Sequence, residues 1–274
     1  MTSNKVLKIV QNLLKIKKIG FAGTLDPLGS GLLPIAINQA TRTMPYIIPG
    51  KKEYFFKIKW GEKTDTDDSQ GLIIKTSKVI PTDNDILVVL SSFLGKIKQT
   101  PPIYSALKVK GKRAYVLARK GQEFVLPSRE VILEKLIYKE NKKLFLVICS
   151  QGTYIRSLSR DLALTLGAYG HVTFLKRTKV GNFSINESIS LEKVKKMGHK
   201  IFSSSAFFSI YDALVDIPAI LIERELEQRV SHGNSILIRS RDYDILILVG
   251  SNRQILAVGS VQKGIFIPRL IFHV

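Results

Sequence analysis

"EVILEKLIYKENKKLFLVICSQGTYIRSLSRDLALTLG", residues 130–167, sets the fold class. Its first half reads as two apolar strands with a turn at Asn141. A helix follows from about Tyr154 to Leu166. On one side of this block, "EYFFKIKWG", residues 53–61, alternates: Tyr54, Phe56, Ile58 and Trp60 point one way, Phe55, Lys57 and Lys59 the other. That pattern is a strand with one wet, basic face. On the other side, "HVTFLKRTKVGNFS", from residue 171, returns to strand character. Residues 2–15 read as a helix capped by Thr2 or Ser3, with Val6, Val10, Leu13 and Leu14 at helical spacing. Residues 83–94 read as another. Helices and strands are interspersed, which is an α+β pattern. From about residue 213 the texture changes to a short helix ending near Gly233 and then short strands separated by Ser, Asn and Gly turns. This predicts a small β-rich terminal domain.

A chain of 274 residues, 45% apolar, can build one large domain or a medium and a small one. No apolar run reaches the ~18 residues that span a bilayer. Met1–Val10 mixes lysines with apolar residues and lacks a cleavable apolar block, so a signal peptide is not expected. The single cysteine, Cys149 in "LFLVICS", reads as an inert core residue of a cytosolic protein.

Charge is more informative. Lys plus Arg number 42 against 22 Asp plus Glu, a net +20. Part of this is ordinary solvated lysine, but a field of that sign favours a polyanion. The basic residues are spread along the chain rather than set on one amphipathic helix, which points to nucleic acid rather than a membrane surface. They are dense in residues 96–129, where Tyr104 and Tyr115 are interleaved, a mixture suited to phosphate contacts and base stacking.

Several chemistries are unsupported. His171, His199, His232 and His273 are far apart and have no zinc-motif company. There is no GxxxxGK[ST] loop, no GxGxxG after a strand and no GxSxG elbow. "TDTDDSQG", residues 64–71, fails as a calcium loop: counted from Asp65, the sixth and twelfth positions hold Gln70 and Thr76 instead of Gly and Glu. It reads as an acidic loop. An enzyme with this sequence works without metal, nucleotide or thiol, which leaves carboxylate, tyrosine and arginine.

The carboxylate that stands out is Asp26 in "GFAGTLDPLGSGLLP", residues 20–34. Taken alone, Asp-Pro is turn punctuation. Four glycines around it would let backbone approach a bulky ligand closely. Tyr54 alone is a half-buried sheet residue, Arg156 a surface cation and Leu175 core.

Together these residues carry a resemblance. "GTLDPLGSGLLPIAINQATR", "EYFFKIKWGEKTDTDDSQG", "QTPPIYSALKVKGKRAYVLARKG", "CSQGTYIRSLSRDLALTLGAYGHVTFLKR" and "GSVQKGIFIPRLIF" closely resemble the TruB-type tRNA pseudouridine synthases, in that family's order and spacing. The resemblance is strong over residues 2–180 and looser over 213–271. It implies an α+β catalytic domain, residues 1–212, with a mixed, mainly antiparallel central sheet and an RNA-gripping insertion at about 96–129. It implies a PUA-like RNA-binding domain at 213–274. The implied reaction converts uridine 55 in the TΨC loop of tRNA to pseudouridine: the uracil is cut from its sugar, rotated and rejoined through carbon, with no cofactor and no metal. By the family's motif Asp26 is the nucleophile, Tyr54 stacks on the flipped base and can handle a proton, Arg156 pairs with the Asp26 carboxylate, and Tyr154 and Leu175 line the pocket. The implied partner is the tRNA T-arm, bound by a cytoplasmic monomer with no membrane and no obligate protein partner.

The physics agrees with these roles. A nucleophilic carboxylate must be ionised, and an adjacent arginine lowers a carboxyl pKa by about 1–3 units. Its bidentate fork has no lysine equivalent. Flipping the base costs a few kcal/mol, and stacking on an aromatic returns about 1–3 kcal/mol of that.

Two positions depart from the family pattern. Family members open with a strand containing Asp-Lys-Pro-x-Gly just before the Thr-Ser that here is Thr2-Ser3. This chain starts at Met1, so that strand is expected either upstream of a different start or trimmed. Family members also carry His then Thr before the glycine of the Asp loop, where this chain has Phe21 and Ala22. Phe21 can stack on RNA but cannot hydrogen-bond, so weaker RNA binding is expected. These departures motivate an alternative, a catalytically impaired helper that binds and folds the T-arm. A third reading, a basic structural protein of ribosome or membrane, predicts no preference for a T-arm.

Overall fold

A computed structural model describes residues 1–272. The chain forms two compact units. The first comprises Met1–Val6, Gly23–Leu33 and Ile48–Asn186, and the second Leu7–Ala22, Pro34–Ile47 and Glu187–Val274. Helix α1 comprises Ser3–Leu14. Thr2 Oγ1 accepts from the Lys5 N–H at its start, a first-turn donor that would otherwise be orphaned. Ser3 is used differently: its hydroxyl donates to the Leu25 carbonyl and accepts from the Leu25 N–H.

The first unit is built on a seven-stranded sheet. Its strands are β1 (Ser30–Gly31), β2 (Lys52–Trp60), β3 (Gly95–Gln99), β4 (Arg129–Lys139), β5 (Leu144–Cys149), β6 (Gly170–Val180) and β7 (Phe183–Ser184). The order is β7-β6-β2-β5-β4-β3, antiparallel throughout, with β1 pairing in parallel with β6. The mixed, mainly antiparallel sheet expected from the sequence is thus present. The β4–β5 turn occupies Glu140–Lys142, and Lys143 closes it in the left-handed region at φ 47°.

Period-2 alternation decides what each strand buries. Tyr54 and Phe56 of β2, Leu133 of β4, Phe145 and Val147 of β5 and Leu175 of β6 share one core. Phe56 stacks on Phe145 with ring centroids 4.9 Å apart. Lys57 and Lys59 stay exposed on the other face. Helix α2, Asp83–Val89, starts in a capping box between Thr82 and Asp85 and contributes Ile86 to the core. Helix α3, Ile155–Thr165, contributes Ile155, Leu158 and Leu162.

The basic segment at 96–129 is not uniform. Gly95–Gln99 is the edge strand β3, paired with β4. Beyond Gln99 the chain leaves the sheet and forms the short hairpin Lys108–Val109/Lys112–Arg113 and the helix Ala114–Arg119. The acidic stretch joins a second hairpin, Glu62–Thr64 with Ile73–Thr76.

In the second unit, Ile19–Phe21 pairs with Ile35–Ile37. The unit also holds a five-stranded sheet, made of β8 (Ala219–Leu221), β9 (Ile236–Leu237), β10 (Tyr243–Val249), β11 (Ile255–Gln262) and β12 (Ile265–Ile271), in the order β8-β10-β11-β12-β9. Helix α4, Arg224–Ser231, places Val230 against Leu246, Ala257 and Phe266. Gly233 follows it at φ 85°. The β-rich terminal texture is therefore a sheet with its own core. Among the described residues, no helix is long and apolar enough to cross a membrane.

Candidate active site

The loop between Gly23 and Leu32 does contain the turn its Asp-Pro predicts: the Gly29 N–H donates to the Asp26 carbonyl at 2.8 Å. The carboxylate is engaged elsewhere. Arg156 Nε donates to Asp26 Oδ2 at 2.8 Å and Nη2 to Oδ1 at 2.9 Å, the planar fork that lysine cannot form. Arg156 is buried, at 4% exposure, while the Asp26 side chain retains 24%. The carboxylate is thus held from its inner side and open on the outer one.

Helix α3 delivers this guanidinium. Its N-cap residue is Tyr154, whose N–H donates to Gln99 Oε1 at 2.7 Å. Ser157 Oγ and Arg160 Nη2 each donate to the Thr100 carbonyl at 2.8 Å. The helix start is therefore fastened to the end of β3. Arg129 lies over the Tyr154 ring, 4.6 Å from its centroid, and donates to the Gly152 carbonyl.

Arg156 has further partners. Nη1 donates to the Thr66 carbonyl at 3.0 Å and Nη2 to the Tyr104 carbonyl at 3.1 Å. Asp68 Oδ2 lies 3.8 Å from Nε. Burial alone would lower the Arg156 pKa; Asp26, Asp68 and Asp67 outweigh it, and the pKa is raised. One turn on, Arg160 Nη1 donates to Asp67 Oδ2 at 3.0 Å. Burial pushes the Asp67 carboxyl up, against the pull of Arg160.

The acidic stretch is the loop its sequence predicts, but it is not solvated throughout. Asp67 and Asp68 are both buried. Asp68 Oδ1 accepts from Thr66 Oγ1 at 2.7 Å and from the Gln70 N–H at 2.9 Å. Reading this stretch only against the calcium-loop pattern missed it. The available signal was two arginines four residues apart on one helix, 156 and 160, which share a face and need nearby carboxylates once buried.

Tyr54 is buried on β2 at 7% exposure, opposite Arg177 of β6. Burial raises its phenol to about 12, Arg177 pulls the other way through charge and a hydrogen bond, and the Asp26 charge adds to the rise. Asp26 is thus paired with Arg156 and acts through its charge on the Tyr54 phenol. Leu175, two residues before Arg177, is buried in the same core, and its carbonyl accepts from Ser30 Oγ of the Asp26 loop at 3.2 Å. Phe21 ends its strand in the second unit, paired with Ile35 and half-buried.

Lys52, two residues before Tyr54, is also buried. Its Nζ donates to the carbonyls of Ile48 and Gly50 at 2.7 and 2.8 Å. Burial, with the charge of Arg177, lowers its pKa from 10.5 to about 8. The folded state therefore gives up this proton first. Between pH 8 and 10.5 the unfolded state binds more protons, so stability rises with pH in that window. In denaturant titrations, wild type should gain stability relative to Lys52→Met as pH rises from 8 to 10.5. A difference independent of pH in that range would refute this.

Comparison with known proteins places this geometry in a family. Residues 11–155 match the N-terminal domain of the TruB family pseudouridylate synthases, and residues 156–206 the tRNA pseudouridylate synthase B C-terminal domain. The chain belongs to the TruB family of pseudouridylate synthases. The tRNA pseudouridine synthase B of Bradyrhizobium diazoefficiens is 39% identical over 285 residues, covering 100% of this chain and 83% of that protein. The protein of the same name from Bartonella bacilliformis is 37% identical, covering 99% and 92%. Among solved structures, a chain of a Cbf5-Nop10-Gar1 complex superposes with a TM-score of 0.76 at 23% identity, covering 100% of this chain and 81% of that one. A chain of an H/ACA RNP bound to a substrate RNA containing 2'-deoxyuridine gives 0.73 at 22% identity. At those identities the likeness speaks for the fold.

Proposed function

We propose that this protein converts uridine 55 in the TΨC loop of tRNA to pseudouridine. The observation that carries the proposal is the bidentate pair of Arg156 with a partly open Asp26, beside the buried Tyr54. In the proposed reaction the bond from uracil N1 to the ribose breaks, the ring turns, a bond forms from C5 to the same ribose carbon, the C5 proton leaves to water and N1 takes up a proton from water, so the product is an isomer of the substrate. Asp26 is the nucleophile, Arg156 keeps it ionised and aimed, Tyr54 stacks on the flipped base, and Tyr154 and Leu175 line the pocket. Phe21 would add a stacking surface for RNA. No cofactor enters the proposal. The test is tritium release from a T-arm transcript carrying uridine tritiated at carbon 5. Wild type should release it stoichiometrically, and release no greater than from a transcript lacking that uridine would refute the reading.

In this reading the basic insertion at about 96–129 grips the RNA, residues 1–212 form the catalytic domain and residues 213–274 serve as a PUA-like RNA-binding domain. We assign the protein to the cytoplasm, as a monomer with tRNA as its partner. The reading as a catalytically impaired T-arm helper is not supported: the matched relatives carry synthase names, and Asp26 keeps its arginine. A basic structural protein would bind an unrelated hairpin as well as a T-arm, and the same transcripts discriminate it.

The net charge of +20 gives a further expectation. Phosphate contacts release counterions, so tRNA affinity should fall steeply, by about 10³-fold or more, between ~50 and ~200 mM salt. Filter binding across that range checks it, and a flat response would count against RNA as the substrate.

A further inference from the structure

Arg177 is fully buried, an unusual place for a guanidinium. Its Nε donates to the Leu32 carbonyl at 2.9 Å, Nη2 to the Gly23 carbonyl at 3.0 Å and Nη1, at a longer 3.4 Å, to the Thr24 carbonyl. Tyr54 stands opposite Arg177 in the β2–β6 pairing, and the guanidinium charge acts on its phenol. No ion pair with a carboxylate is found for Arg177 among the described residues.

These partners are not scattered. Gly23 and Thr24 lie just before Asp26 and Leu32 just after it, so one guanidinium holds the loop at both ends. The backbone of Arg177 completes the grip. Its carbonyl accepts from the Leu32 N–H at 2.8 Å, and Lys176 and Arg177 pair with Ser30 and Gly31. Contact there is so close that a Cβ on Gly31, which sits at φ 101°, would lie 2.2 Å from the Arg177 carbonyl oxygen. A buried cation without an anion costs stability, and an apolar side chain of similar volume would serve packing as well or better. What an apolar residue cannot do is hold both ends of a loop in one rigid fork.

We propose that Arg177 is a positioning residue for the isomerisation, fixing the Asp26 loop to β6 at the position that faces Tyr54. The proposal rests on the synthase reading above. It acts through the other two residues: a uridine seated between nucleophile and stacking ring reacts only if their relative placement holds. A misplacement of about 1 Å costs roughly 10²-fold in rate. Arg177→Lys keeps the charge but has one donor group in place of the fork.

The test compares wild type, Arg177→Lys, Tyr54→Phe and the double variant. It measures single-turnover tritium release with enzyme in excess, transcript affinity by filter binding, and melting temperature. Arg177→Lys should lose about 100-fold in single-turnover rate while its affinity for the transcript stays within about threefold of wild type. In the Tyr54→Phe background the same change should still cost most of that factor, because Arg177 reaches the loop through backbone carbonyls that Tyr54 does not touch. An unchanged rate, an affinity that falls in step with the rate, or a rate loss that disappears in the Tyr54→Phe background would each overturn the proposal. Should Arg177→Lys fail to fold, Gly31→Ala pushes the loop off the Arg177 carbonyl from the other side. It should give the same loss of rate with affinity kept, and a normal rate there would also overturn it. A wild type that releases no tritium overturns the synthase reading and this proposal with it. An active wild type with unaffected variants overturns the proposal alone.

Discussion

Asp26→Ala should release no measurable tritium from a T-arm transcript, a loss of at least about 10⁴-fold in single-turnover rate. The size follows from what is removed. A covalent nucleophile has no substitute within reach: Asp68 lies near the same guanidinium, but it is buried and already accepts from Thr66 and Gln70. RNA binding should survive, within about threefold, because phosphate contacts from the basic surface supply most of the affinity. The fold should survive at reduced stability: buried Arg156 loses its bidentate partner but keeps Asp68 and two carbonyls, and the turn around Asp26 is closed by its backbone carbonyl. The informative result is therefore the split: tight, salt-sensitive binding with no turnover. Substantial release by Asp26→Ala would remove Asp26 from the role of nucleophile.

The range of the interactions decides how much of this fold and site the sequence disclosed and how much it withheld. The alternation of Tyr54 to Trp60 is local, and β2 has those faces. The helix from Tyr154 to Leu166 is also local, and α3 occupies that span. Strand order is not local: β2 lies between β5 and β6, which start 92 and 118 residues later. The acidic stretch shows the same limit more sharply. Asp67 and Asp68 look like solvated loop carboxylates because their neighbours in sequence are Thr, Ser and Gly. Their burial depends on Arg160 and Arg156, 93 and 88 positions away. Arg177 lies in the strand that begins near His171, where no local feature singles it out. That it faces inward follows from its sharing a face with Leu175, and its purpose from carbonyls on a loop more than 140 residues earlier. Asp26, Tyr54 and Arg156 were picked out through family resemblance, because neither spacing nor composition could pair residues 130 positions apart.

Arg156 is where the second large effect is expected, and it should divide by substitution. Arg156→Met leaves Asp26 and the buried Asp68 facing an apolar side chain and strands the carbonyls of Thr66 and Tyr104 without their donor. Removing one partner of a buried ion pair typically costs about 3–5 kcal/mol, so this variant should unfold at markedly lower denaturant concentration as well as losing turnover. Arg156→Lys separates the two consequences. A lysine ammonium keeps the positive charge near both carboxylates and retains much of the stability. It cannot span both Asp26 oxygens while also reaching two carbonyls on separate loops, because it is a point donor on a flexible stem and not a planar fork. The carboxylate would then be neutralised but no longer aimed, and a loss of orientation alone costs roughly 10²-fold. The expected outcome for Arg156→Lys is therefore a single-turnover rate down by about 100-fold or more with only a small shift in the denaturant midpoint. Equal stability losses in the two variants would mean that the fork, rather than the charge, holds the fold. A lysine variant with wild-type turnover would mean that aiming the carboxylate contributes nothing, and that Arg156 serves only to balance the charge of Asp26 and Asp68.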